Sequence, residues 1–257
     1  MLKEMSVMLM ALVASAMMVG CGAEKAEKAA GGKKWIVATD TAFRPFEYTN
    51  EKNEFVGIDV DILAAVAADQ GFDYELRSLG WDAGVLAVQS NQADALIAGA
   101  TIKEERIKSG WIFSDGYFNA TQTFVVAENS PIAKFEDLRG KRVAVKNGTA
   151  GKDFAERLKN QYGFTVAVFD DSPTMYQDVT LGNSVACVED TPIMAANIKA
   201  NPSLKLRIPA GMESEGAPYG FAIMNKANQE LLDKFNAGLK NIKANGTYQA
   251  ILDKYLK

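Results

Sequence analysis

The chain has 257 residues, 48% of them hydrophobic and 23% charged, with a formal net charge of -4. That composition is ordinary for a globular protein with room for one large or two modest domains, and its slight acidity argues against a nucleic-acid partner, which would call for a basic stripe. The chain contains no histidine, so the commonest general base and the commonest metal ligand are both absent.

Residues 1–21 read as a targeting segment outside the fold. Lys3 supplies a small positive region, and Met5 to Val19 form an apolar stretch of signal-peptide length, short of the roughly 20 residues that span a bilayer. Small residues before the lone Cys21 resemble a lipobox, where cleavage leaves a lipid-modified Cys21, although Met18 stands where leucine is usual. A plain secretory signal is the alternative. Residues 22–34, "GAEKAEKAAGGKK", read as a flexible tether. With Cys21 lipidated, Cys187 has no partner within the chain, and its apolar surroundings in "SVACV" predict a buried small hydrophobe.

From residue 35 onward, short β-like runs alternate with helical ones. Strands are predicted at Trp35 to Thr39, Phe72 to Leu76, Ala93 to Ala98, Arg142 to Lys146, Phe164 to Phe169 and Ser184 to Val188. Helices are predicted around Val60 to Ala67, with Asp59 as a cap, and over Asp82 to Ser90, Lys152 to Gln161, Thr174 to Leu181 and Thr191 to Ala200. Leu231, Phe235, Leu239 and Ile242 mark a further helix face, which Gly246-Thr247 interrupts before a last helix carrying Tyr248, Ile251, Leu252 and Tyr255. Such alternation predicts an α/β fold with parallel sheets covered on both faces, more economically as two lobes than as one sheet.

In open α/β sheets, ligands bind beyond the carboxyl ends of the strands, and unusual polar residues gather there in this chain. Asp40 follows the first strand with Phe43 close behind, and Trp81 follows the second. Gly99, Thr101 and Arg106 follow the third, Lys146 enters a Gly-rich turn, and Glu189 and Asp190 end "ACVED". Each has a structural alternative: Asp40 as a turn cap, Trp81 as core, Arg106 paired with Glu104 or Glu105 at the surface, Asp190 as the N-cap before Thr191-Pro192. Together they match the needs of a free amino acid. Arg106, with the backbone at Gly99 and Thr101, suits an α-carboxylate, Asp190 an α-ammonium, and Phe43 and Trp81 an aliphatic stem. Asp40 with Lys146 or Glu189 suits the side-chain end.

The segments "ATDTAFRPFEY", "GIDVDILAAVA", "AGATIKEERIKSGWIFSDGY", "VAVKNGTAGKDFA" and "EDTP" resemble the polar amino-acid-binding proteins of ABC importers (solute-binding protein family 3), the glutamine-binding members most closely. The resemblance runs from about residue 35 to the C-terminus. It implies a type II periplasmic-binding-protein fold, with one lobe from 35–118 plus 222–257, a second from 124–218, hinge strands at 119–123 and 219–221, and a ligand cleft between the lobes. It implies ligand contacts at Asp40, Phe43, Trp81, Ala98, Gly99, Thr101, Arg106, Lys146, Thr149, Ala150, Glu189 and Asp190, with no cofactor, no metal and no catalytic residue. Trp81 stands where phenylalanine is common, Ala150 where glycine is common, and Glu189 where the closest members carry histidine, which leaves the ligand open.

The expected function is capture of a polar L-amino acid, glutamine first and arginine, lysine or ornithine second. The implied partner is an ABC permease with cytoplasmic ATPase subunits. The chain would be an exported monomer held to the membrane only by its lipid and facing the periplasm or the cell exterior. A prephenate- or arogenate-dehydratase-like enzyme, with Glu189 as its acid, is the alternative of a different class. A sensory module is a third reading. "GTAGKD" at 148–153 lacks the residues of a phosphate loop, so no nucleotide is expected.

Overall fold

The structure, a computed structural model, describes residues 33–257; the expected signal segment, Cys21 and nearly all of the tether lie outside the described residues. The chain begins with β1 (Trp35–Thr39), a short ribbon of β2 (Tyr48–Thr49) and β3 (Phe55–Val56), and then α1 (Ile58–Gln70). There follow β4 (Tyr74–Ser78), α2 (Trp81–Gln89), β5 (Ala95–Leu96), α3 (Glu104–Lys108) and β6 (Ile112–Phe113). After β7 (Phe118–Ala120) come β8 (Gln122–Ala127), β9 (Arg142–Lys146), α4 (Ala150–Tyr162), β10 (Thr165–Phe169), α5 (Ser172–Thr180), β11 (Ala186–Asp190) and α6 (Thr191–Ala200). The chain ends with β12 (Leu206–Arg207), β13 (Ala217–Tyr219), β14 (Ala222–Ile223), α7 (Gln229–Ala244) and α8 (Thr247–Leu256).

These strands build two five-stranded sheets, ordered β4-β1-β5-β14-β6 and β10-β9-β11-β8-β12. In each, a parallel core is extended by antiparallel strands: β1 runs parallel to β4 and β5, and β9 parallel to β10 and β11, while β14 and β8 run against their neighbours. The β-branched runs "WIVAT" and "RVAVK" suit parallel strands covered by helices on both sides. Each sheet is the centre of one lobe. The first lobe buries Ile58, Ile62, Leu63 and Val66 of α1 against Leu231, Phe235 and Leu239 of α7. The second packs Phe124, Val143, Val145, Phe154 and Phe164. The chain passes between the sheets twice, through β7 and β13, which pair antiparallel with Phe118 opposite Tyr219. The two-lobed α/β fold with two crossover strands is therefore what the chain adopts. The paired crossovers lie one or two residues before the segments expected as hinges, and β8 already belongs to the second sheet at Gln122.

Some boundaries differ from the sequence reading for local reasons. The strand expected from Phe72 starts at Tyr74, because the Phe72 N–H closes the end of α1 on the Ala67 carbonyl. The strand expected to end at Val188 starts later and runs through Glu189 and Asp190, because the N–H groups of Asn183 and Ser184 are held by the Asp178 carbonyl. Asp59 is not a helix cap. It lies inside α1, whose N-cap is Gly57, and its carboxylate accepts the Gly99 N–H and the Tyr117 hydroxyl, both at 2.8 Å. Cys187 is buried and free. No helix among the described residues is long and apolar enough to cross a membrane.

Candidate functional site

The carboxyl ends of β1, β5, β9 and β11 bring Asp40, Arg106, Lys146, Glu189 and Asp190 to the junction of the lobes, each only 4% to 7% exposed. Arg106 belongs to the short helix α3, beyond the turn 98–101. Its Nη1 donates to the Thr101 carbonyl at 2.8 Å and its Nη2 reaches across to the Gly148 carbonyl of the second lobe at 3.1 Å. The guanidinium lies 4.8 Å from the ring of Trp81 and 5.0 Å from that of Trp111. Burial, opposed by Asp153 and then Asp190, leaves its pKa lowered to about 10, so the group stays charged at neutral pH. The surface pairing with Glu104 or Glu105 does not form: among the described residues Arg106 has no ion-pair partner.

Asp190 occupies the N-cap position of α6, yet its side chain makes no capping bond. Its Oδ1 accepts from Gln122 Nε2 at 3.1 Å and its Oδ2 from the Tyr219 hydroxyl at 2.5 Å. Burial, and then the neighbouring Glu189, push it up to about 7, against the pull of Tyr219, Gln122 and Arg106. It too lacks an ion-pair partner among the described residues. Glu189 accepts from Ser172 Oγ at 2.8 Å, from the Tyr176 hydroxyl at 2.7 Å and from the Asp190 N–H at 2.9 Å.

Asp40 and Lys146 are already joined, Nζ to Oδ2, at 2.5 Å across the lobes. Burial alone would depress the Lys146 ammonium, but Asp40, then Glu189 and Glu47, outweigh it and hold the group above its ordinary value. The ring of Phe43 lies 5.7 Å from that ammonium. Thr149 caps α4 by accepting the Lys152 N–H and donates to the Lys146 carbonyl, while Ala150 is the first residue of that helix. Beside this end of the site an open chamber of about 650 Å³ runs between the lobes, walled by Thr41, Tyr48, Tyr176 and Asn197 among others.

Two glycines make the approach possible. Gly148 has φ 64°, and a Cβ there would stand 3.0 Å from Trp81 Nε1, so a side chain would push the lobes apart. Gly99 has φ 53°, and its missing Cβ leaves room for the Phe43 ring. The structure redirects one expectation: the Gly99 N–H points into the protein at Asp59 and is not a free donor. Ala98 is a packed residue of the first lobe, and Thr101 offers its carbonyl to Arg106 while pairing with Tyr219. Residues that the sequence reading left out of the site are Trp111, Gly148, Ser172, Tyr176, Gln122 and Tyr219. The last two lie in "YFNATQ" (117–122) and "PYGFAI" (218–223), which overlap the expected hinge strands 119–123 and 219–221.

This fold, with charged and aromatic residues converging between two lobes, defines a solute-binding protein. The chain matches the model of the bacterial extracellular solute-binding proteins, family 3, over residues 35–257, and it belongs to that family. It is 32% identical to an arginine-binding periplasmic protein of Mannheimia haemolytica, over 86% of this chain and 90% of that one. Its structure is similar to that of the arginine-, lysine-, histidine-binding protein ArtJ from Geobacillus stearothermophilus, with a TM-score of 0.79 and 35% identity, covering 87% of this chain and 95% of ArtJ. An ancestral arginine-binding protein solved with bound glutamine aligns equally well, with a TM-score of 0.79 and 36% identity, covering 87% and 97% of the two chains.

Proposed function

We propose that this protein captures a free basic L-amino acid, arginine first, between its two lobes and presents it to an ABC permease driven by cytoplasmic ATPase subunits. One observation carries the reading: the Arg106 guanidinium and the Asp190 carboxyl, the latter raised by burial to a pKa of about 7, are each buried on its own lobe, and neither joins an ion pair among the described residues. A buried charge without a counter-charge is costly. A zwitterion resolves both at once, with its carboxylate on the Arg106 fork and its ammonium on Asp190. Phe43 and Trp81 wall the stem, Thr149 and Ala150 place the start of α4 beside the carboxylate, and Thr101 and Ala98 shape the floor. At the far end Asp40 and Glu189 are acceptors for a cationic side chain. The relatives named for arginine support that order over glutamine.

Glutamine is the second reading. The Asp40–Lys146 pair offers an acceptor and a donor side by side, which suits an amide, and the ancestral arginine-binding neighbour holds glutamine. Glu189 accepts three hydrogen bonds and is arranged as an acceptor, which favours binding without chemistry over a dehydratase. We further propose that the protein is exported, is anchored through a lipid on Cys21, and works as a monomer.

The test is a thermal-shift panel on protein unfolded and refolded to strip carried-over ligand, with all common amino acids, ornithine and prephenate. Ligand at about 100 times its Kd adds roughly 2.7 kcal/mol, a rise on the order of 5–10 °C for a chain of this size. Arginine is expected to give the largest shift, followed by lysine and ornithine. A shift with glutamine alone selects the second reading, and turnover of prephenate overturns both.

A further inference from the structure

Asp190 sits in the second lobe, at the end of β11, with one oxygen held by its cross-strand neighbour on β8 and the other by the crossover β13. Gln122 is the first residue of β8, directly opposite Asp190 across the sheet, and its Nε2 donates to Oδ1 at 3.1 Å. Tyr219 ends β13, and its hydroxyl donates to Oδ2 at 2.5 Å. Neither donor is loose. The Gln122 amide is oriented by Ser214, whose hydroxyl stands 3.0 Å from Oε1 and 2.8 Å from the Gln122 backbone N–H. The Tyr219 ring is fully buried, edge-on to Phe46 at 5.2 Å and stacked on Phe118 at 5.9 Å. Burial, then Asp190, keep the Tyr219 phenol well above its usual pKa, so it retains the proton it donates.

We propose that Gln122, opposite Asp190 on β8, and Tyr219, at the end of the crossover β13, are the positioning residues that aim Asp190 at the ligand's ammonium, so that a hinge strand takes part in setting the ammonium site. This rests on the reading of Asp190 as the ammonium acceptor. A carboxylate has about four lone-pair sites, so two fixed donors leave capacity for an ammonium while removing the freedom to turn away. The same donors favour the ionised form that an ammonium requires, against burial and the repulsion of Glu189. Arg106 and Tyr219 are the other titratable groups acting on it. The sign follows: Asp190 must lose its proton to pair with an ammonium, so affinity falls as the pH drops through about 7. Removing a donor raises that midpoint.

The experiment measures binding of L-arginine and of 5-guanidinopentanoate, which is arginine without its ammonium, to the purified protein and to Tyr219→Phe between pH 5.5 and 8.5. Wild-type protein is expected to prefer arginine strongly. In Tyr219→Phe the arginine Kd is expected to rise about tenfold at pH 7 with the deamino compound nearly unchanged, and the midpoint of the arginine pH profile is expected to move up. Equal losses for both compounds would overturn the positioning role and leave the proposed function standing. Binding of both compounds equally by wild type would instead remove Asp190 from the ammonium site, and the proposal with it. Should no amino acid bind, carbon-13 NMR titration of the Asp190 carboxyl still decides between an upward midpoint in the variant, as expected, and an unchanged one, which overturns it. If Tyr219→Phe fails to fold, Gln122→Met serves for the same measurements.

Discussion

The two ends of the cleft are built on opposite principles. At one end the Arg106 guanidinium and the Asp190 carboxyl are buried, one from each lobe, held by neutral donors and acceptors and by aromatic rings, with no salt bridge to either among the described residues. At the other end Asp40 and Lys146 already neutralise each other across the same gap. Under the proposed function the first end is costly until a ligand fills it, so binding there would yield a large gain with little choice of side chain. The second end starts from a satisfied pair, so a ligand gains only the difference between its own contacts and the pair it disturbs. On the proposed reading, affinity is concentrated at the first end and selection at the second.

The sharpest way to break this contrast is at the first end. Arg106→Ala strands the ligand carboxylate beside Trp81 and Trp111, and Asp190→Ala strands the ammonium against Gln122 and Tyr219. Removing one member of a buried charge pair costs about 3–5 kcal/mol, which is roughly two to nearly four orders of magnitude in Kd. Calorimetry with L-arginine should detect no binding by either variant at micromolar protein, while circular dichroism melts show a folded chain. Affinity near that of wild type in either variant would move the amino-acid head group elsewhere.

A smaller effect is expected at the second end, and it should appear as selectivity. Lys146→Met removes the resident cation and leaves Asp40 free for the ligand's own, while an amide loses its donor. The ratio of arginine to glutamine affinity should then rise by about tenfold, equivalent to about 1.4 kcal/mol. Titration of the variant with both amino acids measures it directly. An unchanged ratio would show that the choice is made at Glu189, where Ser172 and Tyr176 converge, and that the Asp40–Lys146 pair only closes the lobes.

The contrast also explains what the sequence made legible. The alternation of strands and helices foretold the two sheets, because parallel strands buried on both faces leave long apolar runs such as "WIVAT" and "SVACV". Arg106, Asp190, Asp40 and Lys146 stood out because a charged residue at the carboxyl end of an apolar strand has few structural uses. What was not legible depended on distant pairing. Gln122 and Tyr219 lie 97 positions apart, and nothing local to "YFNATQ" or "PYGFAI" shows that both meet one carboxylate. Asp59 looked like a cap because a cap is a local motif, whereas its bond to Gly99 spans 40 residues. The surroundings of the proposed side-chain end were likewise not legible, because the joining of Lys146 to Asp40 and the three donors around Glu189 are pairings only the fold reveals.

The smallest effect separates closing from binding. Lys103, at the head of α3, pairs with Asp153 in the first turn of α4, and Asp82 of α2 accepts from Asn147 Nδ2 at 2.9 Å, so a rim clasp joins the lobes outside the ligand site. The Lys103 and Asp153 side chains are partly exposed, and such a pair contributes about 0.2–1 kcal/mol and is screened by salt. Lys103→Glu should therefore weaken arginine and glutamine by the same factor, roughly two- to fivefold at low ionic strength and less at high. Adding Asp153→Lys should restore both. Equal loss and equal recovery would place the clasp in the closing equilibrium, because a contact that touches no ligand can shift only the balance of open and closed states. A loss confined to one amino acid would instead mean that α3 moves Arg106 when its N-terminus is released, and the head-group end would then share in selection.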